Sequence, residues 1–372
     1  HLTGQGLELD DLRQFRQWDS ATPGHPEAGH TAGIEVTTGP LGQGLANGVG
    51  MALAERNLRA RFGSELCDHH VYVIAGDGCL SEGVSHEAAS LAGRQGLGRL
   101  VVVYDDNRIT IDGPTELALD DDAPARFRAY GWDVDEIGEV ANDLDALTAS
   151  LERARSVEDK PTLIVLRSHI GFPSPDWTDH HEAHGLAFGD EDIAATKAVM
   201  GLPTDEAFHV PDDVLEMYRA AGRRGAEHRE AWAKRLADSS EGDRWAEAWS
   251  QKPSFDVDAV AASFERGSSV ATRKASQVCV TAAAATGDLL GGSADLTGNT
   301  GTKVDDVTND IGTPGGRQLY FGVREHAMGS ALVGAAMHGG IVPIGGTFLV
   351  FADYMRPPVR LAAMSSAKCV FV

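Results

Sequence analysis

Two short apolar runs with a helix-forming segment between them constrain the fold of this chain most strongly. The runs 71–74 and 100–104 are rich in β-branched residues, a composition typical of buried parallel strands. The segment 81–95 between them has helical composition, so the three elements predict a β-α-β unit with a right-handed crossover. We therefore predict an α/β protein built on doubly wound parallel sheets.

The rest of the chain divides into two such α/β units. A length of 372 residues predicts about two or three domains. We assign 1–235 to the first unit, 236–268 to an acidic, Ser-containing linker, and 269–372 to the second unit. Composition and hydrophobic pattern predict further elements, namely helices within 44–61, 206–248 and 269–286 and strands at 162–167, 319–321 and 341–344.

Charge and cysteine pattern exclude several classes of partner. The formal net charge is −23, and its long-range field repels nucleic acid and anionic membranes. The four cysteines show no CxxC spacing, so they predict neither a zinc site nor a disulfide framework. The chain has no apolar run of about eighteen residues. We therefore expect a cytoplasmic protein with no membrane partner.

Polar triplets follow both apolar runs at the points where the strands end. Gly76-Asp77-Gly78 follows the first and Asp105-Asp106-Asn107 the second, and the carboxyl ends of parallel strands share one edge of a sheet. Asp77, the Asn107 side chain and a carbonyl near Ile109 would give Mg²⁺ three oxygen ligands, with Ca²⁺ or Mn²⁺ as alternatives. Each triplet alone is equally typical of a turn. Their pairing favours a metal that holds a diphosphate.

Longer strings resemble those of one family of thiamine-diphosphate enzymes, transketolase. The family's metal motif is Gly-Asp-Gly followed further along by Asn, as at Asp77 and Asn107. The other strings occur in the family's order and span nearly the whole chain: Pro23-Gly24-His25-Pro26-Glu27, 35–44, Gly292-Ser293-Ala294-Asp295-Leu296, Arg324-Glu325-His326-Ala327-Met328-Gly329 and Gly345-Gly346-Thr347-Phe348.

The resemblance implies a division of labour between two thiamine-diphosphate-binding domains. The first unit would bind the diphosphate, and the second would bind the pyrimidine ring in the other subunit's site, so a homodimer is required. Glu325 would hydrogen-bond the pyrimidine ring and favour its imino tautomer. Taken alone, a Glu at a helix start is also a common capping or dipole residue.

The resemblance also implies roles for residues around the cofactor. His25 and His184 would be catalytic, and Glu82 and Glu87 would lie at the subunit interface, where ordinary surface carboxylates are the alternative. Substrate contacts would come from His25, Arg273 and Asn299. Besides Asn107 and Glu325, the implied cofactor contacts are Gly39, Leu41, Gly78, Ile111, His184, Asp295, Phe348, Phe351 and Tyr354, of which the aromatic residues are also compatible with an ordinary core stripe.

The chain departs from the family's pattern in two places. The family's His-Gly-Ala-Pro-Leu-Gly is His184-Gly185-Leu186-Ala187-Phe188-Gly189 here, which predicts a different loop shape. The family places Ser-Asn after its Ser-Ala-Asp-Leu string, whereas Thr297-Gly298-Asn299 follows here, so Asn299 is the expected phosphate contact. We further expect two histidines, the end of the second domain and a third, C-terminal domain to lie outside this chain, leaving the chain alone weak or inactive.

The expected activity is that of a transketolase, a glycolaldehyde transferase. It would move a two-carbon ketol unit from a ketose phosphate to an aldose phosphate, in the pentose phosphate pathway or the Calvin cycle. Two alternatives remain: dihydroxyacetone synthase, whose motifs are shared, and a non-catalytic cofactor-binding fragment.

Overall fold

The strands form two separate four-stranded sheets in a computed structural model that describes residues 1–252 and 255–372. Every strand pair within the sheets is parallel. The first sheet has the order β1-β2-β4-β3, with β1 (Val71–Gly76), β2 (Leu100–Asp106), β3 (Asp133–Gly138) and β4 (Thr162–Arg167). The second has the order β6-β5-β7-β8, with β5 (Leu289–Ser293), β6 (Gln318–Tyr320), β7 (Val342–Gly346) and β8 (Val370–Phe371).

Helices connect the strands and cover the sheets. The helices of the first part of the chain are α1 (Leu9–Arg13), α2 (Gln43–Phe62), α3 (Asp77–Ser81), α4 (Gly83–Gln95), α5 (Ala123–Ala129), α6 (Leu144–Arg155) and α7 (Asp190–Val199). Those of the second part are α8 (Asp212–Arg223), α9 (Gly225–Asp238), α10 (Gly242–Ser250), α11 (Val257–Ala262), α12 (Thr272–Ala284), α13 (Thr297–Thr300), α14 (Glu325–His338) and α15 (Arg356–Met364). Short 3₁₀ turns lie at Thr115–Leu117, His181–His184 and Leu349–Met355. Within the described residues, no helix has the combination of length and apolar character that a bilayer span requires.

The predicted α/β architecture with parallel sheets is confirmed. Three features differ from the sequence prediction, each for its own physical reason. β3 carries three acidic residues and lies at the sheet edge, so it lacks the apolar run of a buried strand. β5 ends in Gly-Gly-Ser and is short, although it is buried throughout. The segment predicted as one helix over 81–95 is broken at Glu82, whose backbone is extended.

The stretch 236–268, predicted to be a linker, contains helical structure. It holds the end of α9 together with α10 and α11. Trp245 of α10 is buried, and its ring packs edge-on against Phe62 at the end of α2, with 5.2 Å between ring centroids. The proposed division at 235 and 269 stays a prediction.

The part of the chain that carries the first sheet and the part that carries the second, called its two halves, meet where α2 packs against α14. Glycines make that contact close. A Cβ placed on Gly50 would lie 1.9 Å from the carbonyl oxygen of Ala331, and one on Gly334 would lie 1.9 Å from the carbonyl oxygen of Asn47. Each helix therefore presses a glycine against the backbone of the other. Closely packed interiors cannot absorb an added methyl group here without moving a helix.

Gly334→Ala is expected to destabilise the chain by about 1–3 kcal/mol, because overpacking forces the two backbones apart. The measurement is the midpoint of urea unfolding, which should fall while the denaturant slope is retained. Gly225→Ala is the matched control, since nothing lies within 4 Å of a Cβ at this exposed first residue of α9. An unchanged midpoint for Gly334→Ala would show that the helices are not in this contact.

A second contact between the halves joins two histidines. Nε2 of His69, in the loop before β1, lies 3.0 Å from Nε2 of His338 at the end of α14, and the two rings stack. Burial lowers the pKa of His338 below its ordinary value of 6.5. The folded chain thus binds the His338 proton less readily than the unfolded chain does. This residue's contribution to stability is complete above its ordinary pKa and is lost as the pH falls through that value.

His338→Gln is expected to reduce the loss of stability that accompanies acidification from about pH 7.5 to about pH 5.5, the range in which histidines change charge. Urea midpoints at both pH values measure this. His228→Gln, at an exposed position on α9, is the control and should leave the pH dependence as in the unsubstituted chain. If His338→Gln and the unsubstituted chain lost the same stability between the two pH values, His338 would not be a source of the pH dependence.

Candidate active site

Asp77 lies at the carboxyl end of the first sheet, where the predicted metal loop was placed. The parallel register pairs Gly76 of β1 with Asp105 of β2, so Asp77 and Asn107 leave neighbouring strands in the same direction. The Tyr104 hydroxyl donates to one carboxylate oxygen of Asp77 at 2.5 Å. The backbone N–H of Arg108 donates to the other at 3.0 Å. The loop after β2 therefore closes directly over Asp77.

The electrostatics of Asp77 fit a cation site. Its side chain is buried, and no ion pair of the described residues joins it to a Lys, Arg or His. Burial raises the pKa of Asp77, while the hydrogen bonds from Tyr104 and Arg108 oppose that rise. Burial and the adjacent Asp77 raise the pKa of Tyr104, which keeps its hydroxyl a proton donor. A buried carboxylate without a cationic side chain is the kind of group that coordinates a metal.

Asn107 and Ile109 lie together beside Asp77. The N–H of Ile109 donates to the side-chain oxygen of Asn107 at 2.9 Å, which leaves that oxygen a second lone pair. Carboxylate, amide and carbonyl oxygens are the ligand types that Mg²⁺ prefers. No cluster of three or more His, Cys, Asp or Glu suited to a metal occurs in the described part of the chain. A cation here would therefore need further oxygens from water or a ligand such as diphosphate.

The glycine loop before α2 packs next to the metal loop. Gly39 has a φ of +131°, and a Cβ there would lie 2.8 Å from the His25 ring, so only glycine lets this histidine approach. A Cβ on Gly78 would lie 2.9 Å from Cδ1 of Leu41. The structure thus gathers His25, Gly39, Leu41 and Gly78 along one side of Asp77, and both His25 and Leu41 are exposed.

The His-rich loop reaches the other side of the metal loop. Nδ1 of His181 lies 3.0 Å from the carbonyl oxygen of Ile111, and the Ile111 side chain is exposed. His184 ends the 3₁₀ turn that begins at His181, and it is exposed as well. The contact places the turn that carries His184 next to the chain segment of Asn107, Ile109 and Ile111.

Glu325 occupies a buried position at the first residue of α14. Its carboxylate accepts a hydrogen bond from the Thr347 hydroxyl at 3.3 Å. The nearby Glu87 carboxylate of α4 accepts the backbone N–H of Ala327 at 2.9 Å. Burial raises the pKa of Glu87, and the charge of Glu325 adds to the rise. The charge of Glu325 therefore acts on Glu87 where the two halves of the chain touch.

Aromatic side chains line the surface beyond β7. The ring centroids of Phe348 and Phe351 are 6.0 Å apart, and those of Phe351 and Tyr354 are 6.2 Å apart. Phe348 and Tyr354 are exposed, which separates this row from an ordinary core stripe. An exposed row of rings offers flat apolar faces to an aromatic ligand.

A second loop of the same sheet holds Asp295, predicted to contact the cofactor, and Asn299, predicted to contact substrate phosphate. Asp295 and Asn299 are exposed in the segment that follows β5, and Asp295 has a φ of +63°. Arg273 is exposed at the start of α12, and its carbonyl oxygen lies 2.6 Å from a Cβ placed on Gly301. The structure therefore brings Arg273 near the loop of Asn299.

Within one chain the two groups of residues do not meet. Glu325 and the aromatic row have no hydrogen bond, ion pair or ring contact with Asp77 or Asn107 in the described residues. Glu82 caps α4 beside the glycine loop, where a Cβ on Gly42 would lie 2.9 Å from the Cβ of Glu82. The chain holds two half-sites, one on each sheet.

Sequence reasoning missed Tyr104 and Thr347 as site residues. Tyr104 belongs to a β-branched strand, where an aromatic residue is expected in the core, and only its hydroxyl bond to Asp77 distinguishes it. Thr347 lies in the string that resembles the family, but its bond to Glu325 crosses between the ends of β7 and α14. The sequence feature that could have identified Thr347 is its position directly before Phe348, the first residue of the aromatic row.

The fold and the two residue groups are those of an α/β protein with two parallel sheets, one ending at the Asp77 loop and the other at a buried glutamate with exposed rings. Residues 1–251 match the family model of the transketolase thiamine diphosphate binding domain, and residues 268–372 match that of the transketolase pyrimidine binding domain. The chain belongs to the transketolase family.

Individual relatives agree with the family models. Transketolase of Nostoc sp. is 44% identical over 393 aligned residues, and chromosomal transketolase of Cupriavidus necator is 45% identical over 388. The structure of transketolase from Leishmania mexicana is 41% identical, with a TM-score of 0.94. In each comparison all of this chain is covered but only 57% of the relative, so the chain spans little more than half the length of these proteins.

Tyr104→Phe is expected to weaken divalent-cation binding by about tenfold to a hundredfold, the usual effect of removing an outer hydrogen bond to a metal ligand. Titration with Mn²⁺ in the presence of thiamine diphosphate, followed by electron paramagnetic resonance, measures the affinity. Tyr72→Phe is the control, because Tyr72 is exposed on the neighbouring strand β1. Equal affinities of Tyr104→Phe and the unsubstituted chain would remove Tyr104 from the site.

Proposed function

We propose that this chain forms the cofactor-binding part of a transketolase that transfers a two-carbon ketol unit from a ketose phosphate to an aldose phosphate. The observation that carries the proposal is the pair of half-sites: the buried Asp77 loop on the first sheet and the Glu325 group with its aromatic row on the second. Both halves fall within the two matched family models.

The metal is proposed to be Mg²⁺, held by Asp77, Asn107 and the Ile109 carbonyl. Thiamine diphosphate, when bound, supplies the nucleophilic carbon and the electron sink of the reaction. The chain's part is to hold the diphosphate beside the cation. Gly39 and Gly78 keep that surface free of Cβ atoms, and Leu41 and Ile111 offer exposed apolar side chains.

Glu325 is proposed to hold the pyrimidine half of the cofactor. Its carboxylate is fixed by Thr347, so the second oxygen is available to a ring nitrogen. Phe348, Phe351 and Tyr354 would stack against the ring. In this arrangement Glu325 is the group that accepts or returns a proton at the pyrimidine ring.

The substrate class is proposed to be sugar phosphates. Solved structures of transketolase from Pichia stipitis are complexes with xylulose-5-phosphate and sedoheptulose-7-phosphate, and those proteins are 37% identical to this chain. Here Arg273 and Asn299 would contact the phosphate, since a guanidinium matches its oxygens in geometry and charge. His25 and His184 are exposed on the two sides of the metal loop, where they can exchange protons with sugar hydroxyls.

The complete site is proposed to form between two copies of the chain. Because Glu325 does not reach Asp77 within one chain, each half-site needs its complement from a partner. Glu82 and Glu87 would lie at that interface, and Glu87 is next to the Glu325 of the same chain. We place the reaction in the cytoplasm, in pentose phosphate or Calvin-cycle metabolism. The four free cysteines are compatible with a reducing compartment.

Mixing two inactive variants tests the shared site. Asp77→Ala should lose Mg²⁺-dependent binding of thiamine diphosphate, and Glu325→Ala should lose hydrogen–deuterium exchange at the cofactor's reactive carbon. After the two variants are unfolded and refolded together, hybrid dimers should contain one intact site each. About a quarter of the exchange activity of the unsubstituted chain should return, as expected for statistical pairing in a two-fold dimer.

Two controls complete the experiment. Asp112→Ala, a surface carboxylate on the loop beyond Ile109, should retain both cofactor binding and exchange. Each inactive variant refolded alone should stay inactive. Exchange at the full rate in Asp77→Ala, or no recovery in a mixture in which hybrid dimers are present, would overturn the proposed arrangement.

A further inference from the structure

Arg56 on α2 is a buried cation that forms no ion pair among the described residues, although the charges of Asp310 and Glu55 act on it. It is the only arginine that is buried among the described residues, and none of the ion pairs found in them includes it. Its guanidinium donates to the carbonyl and side-chain oxygens of Gln95 and to the side-chain oxygen of Asn309. Its Nε has no acceptor. Buried charges are normally paired, and the hydrogen-bond acceptors of Arg56 are all neutral oxygens, so an anion in the adjoining space would offset its charge.

A cleft of about 230 Å³ adjoins Arg56 and contains two further arginines. Arg59 uses its Nε and one terminal nitrogen to bind Glu55, at 2.8 and 3.5 Å. Arg99 uses its Nε to bind Asp68 at 2.9 Å and lies 3.6 Å from Glu158 through a second nitrogen. Each of these side chains therefore keeps a terminal nitrogen for another acceptor. Three carboxylates, those of Glu55, Glu158 and Asp159, also line the cleft and balance its charge, but Glu55 and Glu158 each already bind an arginine.

The cleft lies far from the proposed active site. Arg99 directly precedes β2, whereas Asn107 directly follows it, so the cleft and the metal loop are at opposite ends of that strand. Seven residues of strand span about 23 Å. The cleft is also shared by the two halves of the chain, because Ile311 and Pro314 of the second half line it together with α2.

Charge relations within the cleft agree with an anion site. Burial lowers the pKa of Arg56 to about 10, and the charge of Arg59 acts in the same direction, whereas the charges of Asp310 and Glu55 oppose the shift. Burial also raises the pKa of Glu55, which weakens its contribution as a counter-ion to the arginines. A bound anion would relieve the repulsion between Arg56 and Arg59.

We propose that this cleft binds a phosphate group, either as free inorganic phosphate or as a small phosphate monoester. A tetrahedral anion with several acceptor oxygens suits the terminal nitrogens that Arg59 and Arg99 keep for another acceptor, beside the buried charge of Arg56 in the same cleft. The net charge of the chain is −23, so such a ligand must be held by local contacts of this kind. Because Arg56 also bonds Asn309, phosphate here ties the two halves of the chain together.

Calorimetric titration of the 372-residue chain with inorganic phosphate, at constant ionic strength set with chloride, tests the proposal. Saturable binding is expected, and Arg59→Gln and Arg99→Gln should each weaken it at least about tenfold, equivalent to about 1.4 kcal/mol. Arg128→Gln is the matched control, because Arg128 is an exposed arginine paired with Glu136 elsewhere. It removes the same charge and should leave the affinity within about twofold, since distant surface charges are screened.

Further measurements locate the bound phosphate and decide between inorganic phosphate and a phosphate monoester. Arg273→Ala should leave unchanged the phosphate binding that Arg59→Gln and Arg99→Gln weaken, which separates this cleft from the proposed substrate site. Phosphate should also raise the unfolding temperature of the unsubstituted chain but not that of Arg59→Gln or Arg99→Gln, because a ligand stabilises only the form that binds it. Tighter binding of glycerol 2-phosphate than of inorganic phosphate would assign a monoester, and the reverse would assign the free ion.

Four results would contradict the proposal that this cleft binds phosphate. No saturable phosphate binding by the unsubstituted chain, or binding that both cleft variants leave unchanged, would exclude the site. Binding lost in Arg273→Ala would place the phosphate in the substrate site, and binding weakened equally in Arg128→Gln would reduce it to diffuse attraction. Arg56→Gln extends the series if it folds, and the other two variants decide the question if it does not.

Discussion

The backbone contact between α2 and α14 is the constraint on which both half-sites depend. Gly50 and Gly334 each press against a carbonyl of the opposite helix, so the helices cannot rotate or slide without a clash. Side-chain bonds fix the same register: Gln43 contacts the His326 ring at 2.6 Å and accepts from the Ser330 hydroxyl at 2.8 Å. Because α2 follows the glycine loop and α14 begins at Glu325, one packing contact positions a functional loop on each sheet.

Burial tunes the carboxylates around that contact in different ways. Asp77 is surrounded by hydrogen-bond donors that are not cations, an arrangement that keeps it a good ligand for a metal ion. Glu87 instead faces Glu325, and burial and like charge act together to raise the pKa of Glu87. The environment of Asp77 is suited to binding a metal cation, and the environment of Glu87 favours the protonated form of its carboxyl group. These two environments lie at different places in one chain because α2 and α14 hold the two sheets in a fixed arrangement.

The sequence predicted the elements that are periodic or contiguous and missed those defined by tertiary contacts. The central strand 162–167 matches β4, because a strand buried on both faces needs an unbroken apolar run. The acidic edge strand β3 was missed, since no such requirement applies at an edge. The placement of Asp77 and Asn107 on adjoining strand ends followed from parallel-sheet geometry alone. The roles of Tyr104 and Arg56 could not be predicted, because each depends on a partner distant in sequence or on the absence of one.

Exposed apolar surface gives the physical argument for a second copy of the chain. Leu349 and Val350 follow Phe348 at the end of β7 and are 91% and 71% exposed. Val323, just before Glu325, is 75% exposed. Scattered apolar residues on a surface are normal, but a contiguous group beside a buried carboxylate is the kind of patch that a partner covers. Pairing two copies about a two-fold axis across these surfaces would cover the patch on each copy and complete both sites by the same contact.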